Sequence, residues 1–135
     1  TIYRVHQRVA TTFRVNRVLL VGDAAHLNNP LGGLGMNSGI HDVWNLTDKL
    51  LQIFQQGGNA DALLDLYDRQ RRTIMNEFVQ TQTIKNKKAL ETSAEDRQSQ
   101  AESEMARIVD DLESRRNYML EQSMHNSLKR AAAIS

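Results

Sequence analysis

The segment from Val18 to Leu51 constrains the fold most, because an apolar run, a glycine-rich stretch and a helical pattern follow one another within it. A short apolar run, Val18–Val21, ends in Gly22-Asp23, and the only proline and five of the seven glycines lie in residues 22–39. Such a run is typical of a strand buried on both faces, as in a parallel sheet covered by helices. Apolar residues then recur at helical spacing, which predicts a helix that begins near Met36.

Helical periodicity dominates the rest of the chain. Gln55 to Gly58 should end the first long helix, with glycine available for its left-handed cap. Asn59 is a suitable N-cap for a second helix. Residues 91–103 are polar and predict a loop or a weak helix. A last helix is predicted from about Glu104 to Arg130.

Strand patterns occur only near the N-terminus. Residues 2–13 alternate in polarity and predict one long strand, and Asn16-Arg17 predicts a turn after it. Two strands cannot close a parallel sheet, so the chain is expected to be incomplete. The expected fold is therefore mostly α with one or two N-terminal β-strands, with residues 1–56 and 57–135 as its two parts.

Composition excludes several classes of function. The net charge is +1 and aromatic residues make up only 5% of the chain, so we expect no nucleic-acid partner. No apolar run is long enough to predict a membrane span. Cysteine is absent, which excludes disulfides and thiolate metal sites and is compatible with the cytoplasm. The four histidines show no shared metal spacing, so we predict surface histidines and no metal site.

The glycine-rich segment carries the candidate site. The strand before it would deliver Asp23 to the carboxyl edge of a sheet, where open α/β sheets bind ligands. Gly32, Gly33 and Gly35 would let the backbone approach a flat ligand closely. A helix that begins near Met36 would direct free N–H groups and a positive dipole end at that ligand.

The run GDAAHLNNPLGGLGMNSGIHDVWNLTDKL, residues 22–50, resembles the C-terminal FAD motif of the class A flavoprotein monooxygenases, the para-hydroxybenzoate and phenol hydroxylase family. The family pattern is Gly-Asp-Ala-Ala-His, a proline-rich loop, Gly-x-Gly-x-Asn, then Gly-Ile-x-Asp-Ala-x-Asn-Leu. The matching positions are Gly22, Asp23, Ala24, Ala25, His26, Pro30, Gly32, Gly33, Gly35, Asn37, Gly39, Ile40, Asp42, Asn45 and Leu46.

The resemblance implies a role for each candidate residue. Asp23, after Gly22, would bind the ribityl hydroxyls of FAD. Backbone N–H groups at residues 35–37 would lie near the N1–C2=O edge of the flavin. Pro30 and Leu31 would border the flavin face where oxygen reacts. The full set implied to contact the cofactor is Gly22, Asp23, Leu31, Gly32, Gly33, Gly35, Met36 and Asn37, with Pro30 beside the reacting face.

The resemblance also implies an activity and a larger fold. The parent protein would hydroxylate an aromatic substrate with FAD, NAD(P)H and O2, and this chain would be an incomplete fragment of a glutathione reductase-like α/β FAD-binding fold. The chain contains no Gly-x-Gly-x-x-Gly after a strand, so a site for the ADP half of FAD is missing. The isolated chain is thus expected to be inactive and to need the remaining N-terminal part of the same protein.

A non-catalytic alternative rests on the last predicted helix. Met105, Ile108, Leu112 and Met119 form an apolar stripe, which could pack on the rest of the protein or on another subunit in a homo-oligomer. Two further expectations concern single side chains: Trp44 should lie in the core, and the cluster that includes Arg71 should be solvated.

Overall fold

A computed structural model describes residues 6–28, 30, 33–79, 81, 83–85, 87 and 94–135 of the 135-residue chain. Helices dominate this part of the chain, as predicted. Four strands of two residues each precede them. None of the described helices is both long enough and apolar enough to cross a bilayer.

Two small antiparallel pairs form the N-terminal region. Strand β1 (Arg8–Val9) pairs with β4 (His26–Leu27), and β2 (Arg14–Val15) pairs with β3 (Val18–Leu19). The second pair is a hairpin that turns at Asn16 and Arg17, where the sequence predicted a turn. Asn16 has a positive φ of 54°, which asparagine tolerates better than most residues.

The predictions for these strands were partly wrong. Within residues 6–13 only Arg8–Val9 form a strand, because the chain bends and the Phe13 N–H donates to Asp68 Oδ1 at 2.6 Å. Residues 1–5 of the predicted strand lie outside the described residues. The Val18–Val21 run is not buried on both faces: its first residues form the hairpin strand, and Val18 is 64% exposed.

Two antiparallel neighbours make up the central helical layer. Helix α1 (Leu34–Gln56) ends at Gly57, whose φ of 69° gives the predicted left-handed cap. Helix α2 (Ala60–Ile74) begins at the predicted cap, where the side chain of Asn59 accepts from the Ala62 N–H at 3.0 Å. A π-helical turn (Met75–Val79) continues α2.

Three separate helices replace the single one predicted from Glu104 to Arg130. They are α3 (Ala94–Asp110), α4 (Leu112–Gln122) and α5 (His125–Ala132). Asp111 breaks the first junction because its side chain leaves the helix and accepts from the Ser114 N–H at 2.7 Å. Met124 breaks the second with a left-handed φ of 59°. Local capping therefore overrides the continuous apolar periodicity.

The core lies where the N-terminal strands, α2 and α5 meet. Its buried members are Phe13, Ala25, Tyr67, Met75, Val79 and Met124. The Tyr67 hydroxyl donates to the Leu20 carbonyl at 2.6 Å and so ties α2 to the chain that enters the Gly22-Asp23 turn. Trp44 is not in this core, contrary to the prediction, since it is 79% exposed on α1.

Candidate functional site

A tight turn presents Asp23 at the surface. Gly22–Ala24 form one turn of 3-10 helix, and the Ala25 N–H donates to the Gly22 carbonyl at 2.8 Å. Gly22 has a positive φ of 57°, a conformation that favours glycine. Asp23 is exposed, and its carboxylate makes no hydrogen bond or ion pair within the described part of the chain. The carboxylate is therefore free to accept hydrogen bonds from a ligand.

The turn packs directly against helix α1. A Cβ added to Gly39 would stand 3.3 Å from the Gly22 Cα, closer than ordinary van der Waals contact. Two glycines thus face each other where two stretches of backbone nearly touch. This contact holds the turn that carries Asp23 against the second turn of α1.

The N-terminus of α1 is uncapped. Its N-cap, Gly33, is left-handed with a φ of 65°, makes no side-chain cap, and the first turn contains no acidic residue. The helix begins at Leu34, two residues before the predicted start, and Met36 is 75% exposed. The first N–H groups of a 23-residue helix therefore carry a partial positive charge without a protein acceptor from the cap.

The loop before this helix is only partly described. Pro30 is exposed, and its carbonyl accepts from the Gly33 N–H at 3.3 Å. Asn37 donates from Nδ2 back to the Gly33 carbonyl at 3.2 Å, which fixes its side chain over the helix start. Leu31 and Gly32, two of the predicted contact residues, lie outside the described residues.

Beneath the turn lies a buried carboxylate whose position the sequence did not reveal. Asp42 on α1 is fully buried, and its Oδ2 accepts from the Gly22 N–H at 3.0 Å and contacts His26 Nε2 at 2.6 Å. Its Oδ1 accepts from Arg71 Nε at 2.7 Å. Arg71 Nη2 also lies 3.5 Å from the Ser38 carbonyl. Asp42 thus joins the turn, β4 and α2.

The surroundings of Asp42 keep it ionised. Burial alone would raise the pKa of Asp42, but the hydrogen bond from His26 and the charge of Arg71 outweigh burial and hold the pKa below its ordinary value. Burial and the nearby Asp42 charge raise the pKa of Tyr67, so that phenol stays protonated. A charged carboxylate with a charged guanidinium is therefore the resting state of the cluster.

The two ring nitrogens of His26 contact different partners. A carboxylate accepts, so His26 Nε2–H donates to Asp42 Oδ2, and Nδ1 lies 3.5 Å from Asn28 Nδ2. Both His26 and Arg71 are only 1% exposed. The expectation of a surface histidine was wrong for His26, and that of a solvated arginine was wrong for Arg71. Each is buried because the other groups of the cluster satisfy its polar atoms.

Two open depressions flank the Asp23 turn. One, of about 480 Å³, has an almost wholly apolar lining that includes Val21, Met36, Ile40, Val43 and Trp44. The other, of about 260 Å³, runs between β1 and the turn and contains both Arg8 and Asp23. No group of His, Asp and Glu side chains in the described ranges could hold a metal ion.

Comparison with known proteins identifies the class. The family described as "FAD binding domain" matches residues 1–82, more than half of the chain. The chain therefore belongs to the FAD-binding domain family, in agreement with the resemblance carried by residues 22–50.

Curated relatives of the chain are monooxygenases and hydroxylases. Para-nitrophenol 4-monooxygenase of Pseudomonas sp. (strain WBC-3) is 46% identical over 76 residues, which is 56% of this chain and 19% of that protein. 6-Hydroxy-3-succinoylpyridine 3-monooxygenase of Pseudomonas putida is 43% identical over 84 residues, 62% of this chain and 21% of that protein. A 3-(3-hydroxy-phenyl)propionate/3-hydroxycinnamic acid hydroxylase of Mycolicibacterium smegmatis is 45% identical over 83 residues, 62% of this chain and 15% of that protein.

A solved structure matches almost the whole chain. The crystal structure of p-nitrophenol 4-monooxygenase from Pseudomonas putida DLL-E4 superposes with a TM-score of 0.76 at 34% identity. The match covers 89% of this chain and 31% of that structure. The chain spans about a fifth of the length of the curated relatives named above. Its helical part therefore has a counterpart in the solved structure, although the family match ends at residue 82.

Proposed function

We propose that this chain forms the flavin-side part of an FAD-dependent monooxygenase that hydroxylates an aromatic substrate with NAD(P)H and O2. The observation that carries the proposal is the contact between the Asp23 turn and α1, in which Gly22 packs against Gly39 in the second turn of the helix. The N-terminus of this helix has no side-chain cap, and the Asp23 carboxylate has no partner among the described residues. The names of the relatives, which include a nitrophenol monooxygenase and a hydroxyphenylpropionate hydroxylase, support the aromatic substrate class.

The chain's residues fit FAD by their chemistry. The exposed carboxylate of Asp23, which has no partner among the described residues, would accept hydrogen bonds from the ribityl hydroxyls. The uncapped N–H groups at Gly35, Met36 and Asn37 suit the N1–C2=O edge of the flavin, which gains negative charge on reduction. When bound, FAD accepts hydride from NAD(P)H and activates O2 for transfer of one oxygen atom to the ring.

The glycine-rich loop would complete the site. Gly22, Gly32 and Gly33 allow backbone to approach the cofactor without a Cβ in the way. Pro30, with Leu31, would border the face of the flavin where oxygen reacts and would keep bulk water away from it. Pro30 is exposed at the mouth of the loop, which leaves it available for such a contact.

The fold would be completed by more of the same protein. We assign residues 1–56 to the end of the substrate sheet and the C-terminal part of the FAD-binding domain, and residues 57–135 to a helical C-terminal region. The remaining N-terminal part would supply the parallel strands of a glutathione reductase-like fold. The apolar depression around Ile40, Val43 and Trp44 is a surface that this part could cover. Because NAD(P)H is a cytoplasmic reductant, we place the complete enzyme in the cytoplasm.

Flavin titration of the complete protein tests the proposal. Purified protein should show a flavin absorbance spectrum or quench the fluorescence of added FAD. Asp23→Ala should weaken FAD binding about tenfold, the loss of one or two hydrogen bonds to hydroxyls. The matched control is Asp48→Asn, since Asp48 is exposed on α1 and accepts a hydrogen bond from Gln52 one turn further along the same helix. Protein that neither carries flavin nor responds to it would contradict the proposal.

Self-association through the C-terminal helices is the second candidate function. Of the predicted stripe, Met105, Leu112 and Met119 are each about half or more exposed and Ile108 is partly buried, so the described part of the chain leaves most of the stripe uncovered. An exposed apolar stripe on helices is typical of a packing surface. Light scattering over a range of concentrations tests this function. A strictly monomeric protein at the highest concentration would exclude it.

A further inference from the structure

We propose that Asp42, which lies buried beneath the site, is the positioning residue that holds Asp23 and the following loop in their binding geometry. The inference rests on the proposed FAD site and adds to it a residue that touches no cofactor. Asp42 accepts from the Gly22 N–H at the start of the turn and from His26 just after its end. Both ends of the segment that carries Asp23 are therefore fastened to one carboxylate.

The two hydrogen bonds that Asp42 accepts from Gly22 and His26, called the clamp below, hold the turn in place. Gly22 packs closely on Gly39, and two polar contacts at the turn also involve Gly22. One contact is the internal bond from the Ala25 N–H, and the other is the bond to Asp42. Loss of the second would let the turn move relative to α1 while its internal hydrogen bond survived. Asp23 would then shift away from the helix N-terminus.

Arg71 and His26 connect Asp42 to helix α2 and to the loop after the turn. Arg71 balances the buried charge through a 2.7 Å bond and holds α2 against α1. The other ring nitrogen of His26, Nδ1, lies 3.5 Å from Asn28 Nδ2, and Asn28 precedes the loop that contains Pro30. A supporting side chain that is itself held by two partners keeps the binding residues within the small range of positions that ligand binding requires. Loop and turn therefore respond together to a change at Asp42.

The test is FAD affinity in the complete protein, measured well below its unfolding midpoint. Asp42→Asn replaces one acceptor oxygen by a donor that faces donors, and should raise the Kd for FAD about tenfold. The matched control on the same helix is Asp48→Asn, which should leave the Kd within about twofold of the unsubstituted protein. Folded Asp42→Asn protein with an unchanged Kd would overturn the inference.

A double-variant cycle separates positioning from general weakening. If Asp42 acts through Asp23, Asp42→Asn should raise the Kd by a clearly smaller factor once Asp23→Ala is present, with only the effect through the loop remaining. If it acts only by loosening the whole protein, the two effects on the Kd should multiply, which would overturn the inference. The cycle also identifies a failure of the proposed function itself, in which unsubstituted protein binds no FAD or Asp23→Ala has no effect.

A second pair of variants covers the case in which Asp42→Asn does not fold. His26→Gln keeps a side-chain N–H that can reach Asp42 Oδ2, whereas His26→Leu removes it. His26→Leu should weaken FAD binding about tenfold and His26→Gln should restore most of the loss. Equal FAD affinity in the two variants would refute the clamp.

Discussion

Replacement of Arg71 by methionine isolates the energetic importance of the buried cluster. Arg71 is 1% exposed, and its Nε bonds the fully buried Asp42 at 2.7 Å. Methionine fills similar space but leaves the carboxylate without its counter-ion. Breaking one side of a buried pair costs about 3–5 kcal/mol, so Arg71→Met should lower the free energy of unfolding by about this amount.

The neighbouring arginine provides the control. Arg72 pairs with Asp68 one turn back on α2, and its side chain is 36% exposed. A partly exposed pair within one helix contributes about 1 kcal/mol or less, so Arg72→Met should have a much smaller effect. Both variants can be compared by urea unfolding followed by circular dichroism. Equal losses for the two substitutions would refute the reasoning, because burial is the only large difference between them.

Three further predictions follow from single contacts and can be checked by urea unfolding. Asn59→Ala removes the α2 cap and should lower the free energy of unfolding by about 1 kcal/mol; an unchanged value would show that the cap contributes nothing. Tyr67→Phe leaves the Leu20 carbonyl without its donor and should cost about 1–3 kcal/mol; a neutral result would mean that water replaces the hydroxyl. The folded pKa of Asp42 is depressed, so its contribution is complete above the ordinary value of 3.8 and is lost as the pH falls through the folded pKa; Asp42→Asn should show a shallower loss of stability in acid, and an identical pH profile would contradict this.

The C-terminus of α1 and the N-terminus of α2 could be predicted, because each depends on residues that are close in the sequence. Gly57 supplies a left-handed cap and Asn59 accepts from a backbone N–H three residues away, and both signals lie within one turn. The start of α1 could also be predicted to within two residues, from helical spacing after the glycine-rich stretch. The breaks at Asp111 and Met124 were missed because apolar periodicity continues across them.

The buried cluster could not be predicted from the amino-acid sequence alone. Asp42 lies 16 residues after His26 and 29 residues before Arg71, and aspartate and arginine are residue types that are usually exposed. Only the folded backbone shows that the three share one site and satisfy one another. One signal was available: Asp42 is a position of the family pattern to which the resemblance assigned no cofactor contact.

The prediction that Trp44 lies in the core was wrong for a different reason. Its helical position and size predicted a core residue, yet it lines an open apolar depression with Ile40 and Val43. The described residues contain nothing that covers this face. A sequence pattern shows that a face is apolar but does not show which part of a protein packs on it.

Hydrogen exchange of the complete protein with and without FAD tests the central claim most directly. If the Asp23 turn and the α1 N-terminus bind one cofactor together, amides in residues 22–24 and 34–37 should gain protection on FAD addition, while those of α5 should not change. Protection of only one of the two segments, or of neither when FAD is bound, would contradict the account.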